Sequence, residues 1–89
     1  MNKVWRLTVS CLRSTEREIE IAKAGIVSTL TAAGAKVMSI NDCVGDWRGT
    51  QKVVGYDVDF ELDDARIAQT YDLLSTSDIA IVRGCLALN

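Results

Sequence analysis

The chain has 89 residues, 48% of them apolar, and contains neither proline nor histidine. Twelve acidic and ten basic side chains leave a net charge of -2, a weak field for a protein that holds nucleic acid by itself. These values exclude a disordered chain and a two-domain one, so a single domain over residues 1–89 is expected.

No stretch has the uninterrupted apolar length of a membrane span, so no membrane partner is expected. Residues 1–12 are too short and too polar for a secretory signal, which makes the cytosol the expected location. The cysteines Cys11, Cys43 and Cys85 are odd in number, widely spaced and free of any C-x-x-C motif. That argues against a disulfide framework and against zinc. Cys11 and Cys85 read as buried apolar thiols, and Cys43 falls in a turn-rich segment.

The first element is a strand over residues 3–12, where Trp5, Leu7, Val9 and Cys11 alternate with Arg6, Thr8 and Ser10. Lys3 and Arg6 near its start are either a solvated flank or a basic patch at one end of a sheet. Thr15 and Glu18 have capping-box spacing and start a helix over residues 16–33. Its apolar stripe is Ile19, Ala22, Ile26, Leu30 and Ala33, and Gly34 is placed as its left-handed cap. Residues 35–41 make a second strand with poor alternation. Lys36, Met38 and Ile40 mark it as an edge strand whose outer side meets something.

Residues 42–52 read as a hairpin connection carrying Trp47 and Arg48. Trp47 either folds back onto Val44 or Val53, or serves as a partner anchor or a stacking ring for an unpaired base. Arg48 is a phosphate contact or a plain loop charge. The stretch V-V-G-Y-D-V-D-F at residues 53–60 organises the whole chain. Val54, Tyr56, Val58 and Phe60 fall on one face, with Gly55, Asp57 and Asp59 on the other. Asp63 is the expected N-cap of a second helix over residues 64–74, with Ile67, Tyr71 and Leu74 inward. A last strand covers residues 79–88. Its first half is apolar on both faces, as for an edge lying partly against a partner. Its one charge, Arg83, projects from the open sheet face or pairs with Asp57 or Asp59.

The order β-α-β-β-α-β predicts an α+β, ferredoxin-like split β-α-β sandwich. Its four-stranded antiparallel sheet has the order 4-1-3-2, with two helices on one face. No phosphate loop, nucleophile–base pair or metal cluster is present, so no catalytic residue, metal ligand or cofactor is expected.

Three segments carry a family resemblance: L-T-A-A-G-A-K-V at residues 30–37, Y-D-V-D-F at 56–60 and D-I-A-I-V-R-G-C-L at 78–86. They resemble the small-subunit ribosomal protein S6 family of bacterial and mitochondrial type. The hairpin is shorter than the family's basic, aromatic one, and no basic tail follows. The resemblance implies a structural protein of the ribosome, in the bacterial cytoplasm or mitochondrial matrix. It would bind small-subunit rRNA beside a basic S18-like protein and take no small-molecule substrate. On that reading Lys3, Arg6, Arg48, Lys52 and Arg83 are candidate RNA contacts. Lys36, Met38, Ile40 and Trp47 are candidate contacts to the protein partner. A second reading is an ACT-like regulatory or small-metabolite-binding domain that dimerises edge to edge, with its ligand near Gly34 or Gly84. A third, an acylphosphatase-type enzyme, rests on Arg13 alone.

Overall fold

The computed structural model describes residues 1–78 and 80–89. Its elements are β1 (Asn2–Ser10), α1 (Glu16–Ala32), β2 (Lys36–Trp47), β3 (Thr50–Asp63), α2 (Ile67–Ser75) and β4 (Ile81–Ala87). The strands form one antiparallel sheet in the order β2-β3-β1-β4. Both helices lie on one face, which makes the ferredoxin-like split β-α-β sandwich that the alternation predicts.

The period of two on β1 and β3 is what builds the core. Tyr56, Val58, Phe60 and Leu62 of β3 and Leu7 and Val9 of β1 turn toward the helices, and none is more than 2% exposed. From above, α1 lays Ile19, Ala22, Ile26 and Leu30 on them, and α2 adds Leu74. Each large side chain so buried stabilises the fold by about 1.5–3 kcal/mol. The capping box of α1 forms as its spacing predicts. The Glu18 amide donates to Thr15 Oγ1 at 3.2 Å, and the Thr15 amide donates to Glu18 Oε1 at 2.9 Å.

The structure departs from the sequence reading at three places. The expected connection over residues 42–52 is mostly ladder, because β2 and β3 stay paired out to Trp47 opposite Thr50. The turn is only Arg48 and Gly49, with φ of 54° and 79°, as a two-residue turn of mirror-image type requires. Since β1 reaches no further than Gly55, the outer parts of β2 and β3 project as a two-stranded arm. The long dimension of the molecule is accordingly 45 Å.

The second departure is at α2. Asp63 ends β3, and its Oδ1 accepts from the Ala65 amide at 3.0 Å. A turn follows, and α2 starts only after Arg66, which makes no side-chain cap. Asp63 therefore caps the turn and not the helix. The third is the last strand, which runs from Ile81 to Ala87; Ile79, its expected start, lies outside the described residues. The β1–β4 register shifts between Thr8 and Val9, and the extra residue at this bulge is Arg83.

Candidate functional site

The face of the sheet away from the helices is set by the same alternation. With Tyr56, Val58, Phe60 and Leu62 pointing to the core, Asp57, Asp59, Glu61 and Asp63 fall on successive positions of the other face. This acidic column runs along a central strand. Beside it on β1, Arg6 holds Asp59 in a two-pronged ion pair, with Nε 2.9 Å from Oδ1 and Nη2 3.0 Å from Oδ2. The hydrogen bond from Arg6 holds the Asp59 carboxyl below the usual carboxylate range. Its stabilising effect is therefore complete above the unfolded carboxyl's range and is lost as pH falls through the lowered folded value. The difference in Tm between the wild type and Arg6→Met should be steady from about pH 7 to 5 and shrink toward about pH 2. A difference that does not change with pH would contradict this pairing.

The candidate RNA contacts do not assemble. Lys3 lies at one end of β1, with Nζ 3.6 Å from Asp64 Oδ2. Lys52 lies at the other end, where its Nζ donates to the Leu12 carbonyl at 2.6 Å. Arg48 sits at the tip of the arm, 5.5 Å from the ring of Trp47. Arg83 is exposed on the β4 bulge, with no ion pair among the described residues. Arg6 belongs to Asp59. Four separate locations and an acidic column between them do not make a basic surface.

The residues expected to meet a protein partner divide in the same way. Lys36 and Met38 are exposed on the β2 edge, Met38 at a register shift of the β2–β3 ladder. Ile40 packs against the core instead. Trp47 closes β2 at the arm tip, half-exposed, and does not reach the core.

The opposite edge of the sheet also carries apolar surface. Along β4, Ile81 is 63% exposed and Leu86 is 65% exposed, and Leu88 follows just beyond. Arg83 is the sole charged residue of the strand. Next to this edge a groove of about 420 Å³ opens toward α2, lined by Trp5, Ile67, Tyr71 and Cys85. Burial pushes the Cys85 thiol up, so it stays protonated and unreactive. Only one hint of this surface is readable in the sequence: the segment is apolar on both strand faces where a half-exposed edge would alternate.

A second concavity, about 710 Å³, lies between α1 and the base of the arm. Lys23 of α1 spans it: its Nζ donates to Asp42 Oδ1 at 2.7 Å and lies 5.3 Å from the Tyr56 ring. The hydrogen bond it donates to Asp42 holds the Lys23 ammonium above its usual range, so the pair ties the arm to the helix. Burial pushes the Tyr56 phenol up to about 12, so its hydroxyl keeps its proton at neutral pH. Among the described residues no group of three or more His, Cys, Asp or Glu side chains is placed to hold a metal ion. Among the described residues no helix is long and apolar enough to cross a membrane.

No family model matches this chain, and no curated protein matches it. Solved structures do match. The 30S ribosomal protein S6 of Thermotoga maritima aligns with a TM-score of 0.74 at 8% identity, over 98% of this chain and 88% of that one. The C-terminal domain of the MgtC protein of Mycobacterium tuberculosis aligns at 0.55 and 12% identity, over 97% and 85%. CutA of Synechococcus elongatus aligns at 0.51 and 19% identity, over 99% and 75%. CutA proteins recur among the matched structures. Identities this low show the fold alone.

The ribosomal expectation is corrected by these findings. CutA of Synechococcus elongatus shares the fold at 19% identity and S6 at 8%, so the resemblance to S6 identifies an architecture and not a ribosomal subunit. The expected contact with small-subunit rRNA, the S18-like partner and the place on the ribosome, bacterial or mitochondrial, fall with it. The short segments that carried the resemblance are core-facing strand and helix-cap patterns, which any ferredoxin-like sandwich needs. The acidic column and the dispersed basic residues give the physical side of the same correction.

Proposed function

We propose that this chain is a non-catalytic regulatory module that pairs with a second copy of itself along the β4 edge and holds a small metabolite. The observation that carries the pairing is β4. An edge strand offers a row of main-chain donors and acceptors to any other strand, and proteins guard such edges with charges, prolines or a covering element. Here the only guards are Arg83 and its bulge, while Ile81 and Leu86 stand in water at either side of them. A second β4 supplies strand pairing and apolar cover together. The apolar groove beside Tyr71 continues from this edge and gives the second copy more to bury against. The acidic column lies on β3, with β1 between it and the edge, so like-charge repulsion between copies is weak there.

Sedimentation velocity tests the pairing. The wild type should sediment as a dimer at tens of micromolar, and Ile81→Lys/Leu86→Lys as a monomer. Both replaced side chains are largely in water, so the folded monomer should keep its stability to within about 0.5 kcal/mol per site. A wild type that stays monomeric throughout, or a double variant that dimerises equally well, overturns the reading.

A further inference from the structure

A smaller cavity of about 190 Å³ lies on the helix side of the sheet, beneath the first turns of α1 and beside the approach to β4. It shares no residue with the groove at the β4 edge, and it shares Ser14 and Ile19 with the concavity under the arm. Ser10, Ser14, Tyr56, Glu18 and Asp78 give it its polar lining.

The lining is unusual in what it leaves unanswered. Tyr56 is 1% exposed, and its hydroxyl has no hydrogen-bond partner among the described residues. A buried hydroxyl without a partner lowers stability, so proteins rarely retain one unless something else satisfies it. The Ser14 hydroxyl and the Asp78 carboxylate also make no side-chain hydrogen bond among the described residues. A tyrosine, a serine and an aspartate with unanswered polar groups thus line a space that would hold about six waters.

The charges of the lining choose between ligands. Both ionisable side chains that combine charge with reach are carboxylates, Glu18 and Asp78, and no lysine or arginine is among the described residues that line the cavity. The positive end of α1 would favour an anion, but its amides are partly answered already. The Glu18 amide donates to Thr15 Oγ1, and the Ile19 amide to the Thr15 carbonyl. Glu18 spends one oxygen on the Thr15 amide, which leaves Asp78 as the free acceptor of charge.

We infer that this cavity binds a small hydroxylated amine, its ammonium on Asp78 and its hydroxyl groups on Tyr56 and Ser14. The inference rests on the reading of the chain as a metabolite-holding module and names the class of metabolite. It does not depend on the β4 pairing, and the single edge variant Leu86→Lys, which spares the lining residue Ile81, is used alongside the wild type so that the two can fail separately.

The test is an amide-resonance titration with three probes of nearly equal size: 2-aminopropane-1,3-diol, glycerol and glycerate. The aminodiol should give saturable shifts at Ser10, Ser14 and Tyr56 in both proteins, and glycerol and glycerate should bind at least about tenfold more weakly. Tyr56→Phe should weaken the aminodiol about tenfold while leaving the Tm of the free protein unchanged or higher, since the lost hydroxyl had no partner. Asp78→Asn should erase the preference for the amine over glycerol. Equal binding of the three probes, aminodiol binding untouched in Tyr56→Phe, a lowered Tm in Tyr56→Phe, or no saturable shift with any probe overturns the inference. Binding to the wild type alone, and not to Leu86→Lys, also overturns it, because the site would then belong to the interface.

Discussion

Phe60→Ala is expected to be the most damaging single truncation in this chain. Phe60 is fully buried on β3, opposite Trp5 on β1 and Val37 on β2. Its ring therefore lies where the central strands and the edge strand meet the helices. Removing it takes away the transfer free energy of the ring and leaves a void that the surrounding strands cannot close without breaking their ladders. Truncations of this kind cost about 3–5 kcal/mol. For a small domain, whose whole stability is of order 5–15 kcal/mol, that is a large share. Urea denaturation should show the midpoint falling while the slope is kept. A loss under about 1 kcal/mol would mean that the core is not built around β3.

Gly55→Ala should come next, for a different reason. A Cβ placed on Gly55 would lie 2.7 Å from the carbonyl oxygen of Val9. That oxygen belongs to the backbone of β1, which is paired with β3 on one side and β4 on the other, so it has nowhere to retreat. A methyl group forced in here should cost about 1–3 kcal/mol through displaced backbone. Gly84 is the control, because a Cβ there meets nothing within 4 Å. Gly84→Ala should leave the folded monomer within about 0.5 kcal/mol of the wild type. Equal losses at the two positions would show that strand propensity, and not the close approach of β1, is what Gly55 answers to.

The fold was legible because its two central strands are buried on one face only. Alternation at Trp5, Leu7 and Val9 and at Tyr56, Val58 and Phe60 survives in the sequence as a period of two. The capping box at Thr15 and Glu18 was equally local and equally readable. The arm was not. Gly45, Asp46 and Gly49 have the composition of a loop, yet a two-residue turn at Arg48 and Gly49 needs only those two residues, and the rest continues as ladder. An arm with little core behind it is under no pressure to alternate, so its strands leave no pattern. Asp63 misled for a related reason: an acidic residue before an apolar stripe caps a turn as readily as a helix.

The site was less legible than the fold. Single charges scattered along a sequence carry no information about whether they converge in space. Lys3, Lys52 and Arg48 are far apart along a molecule 45 Å long, and Arg6 is bound to Asp59. The acidic column was half visible in Asp57 and Asp59, but its extent through Glu61 and Asp63 depended on how far β3 runs. The unanswered hydroxyl of Tyr56 could not be seen at all, since hydrogen-bond satisfaction is a property of neighbours distant in sequence.

The most direct measurement of the β4 pairing is amide hydrogen exchange along that strand at two protein concentrations. If a second copy covers the edge, the amides of β4 that are not bonded to β1 should exchange more slowly at about 500 µM than at about 5 µM, and the difference should vanish in Ile81→Lys/Leu86→Lys. Amides of β1 and of the central part of β3 should not respond to concentration beyond the general stabilisation of a dimer. Exchange along β4 that is fast and the same at both concentrations would contradict the account.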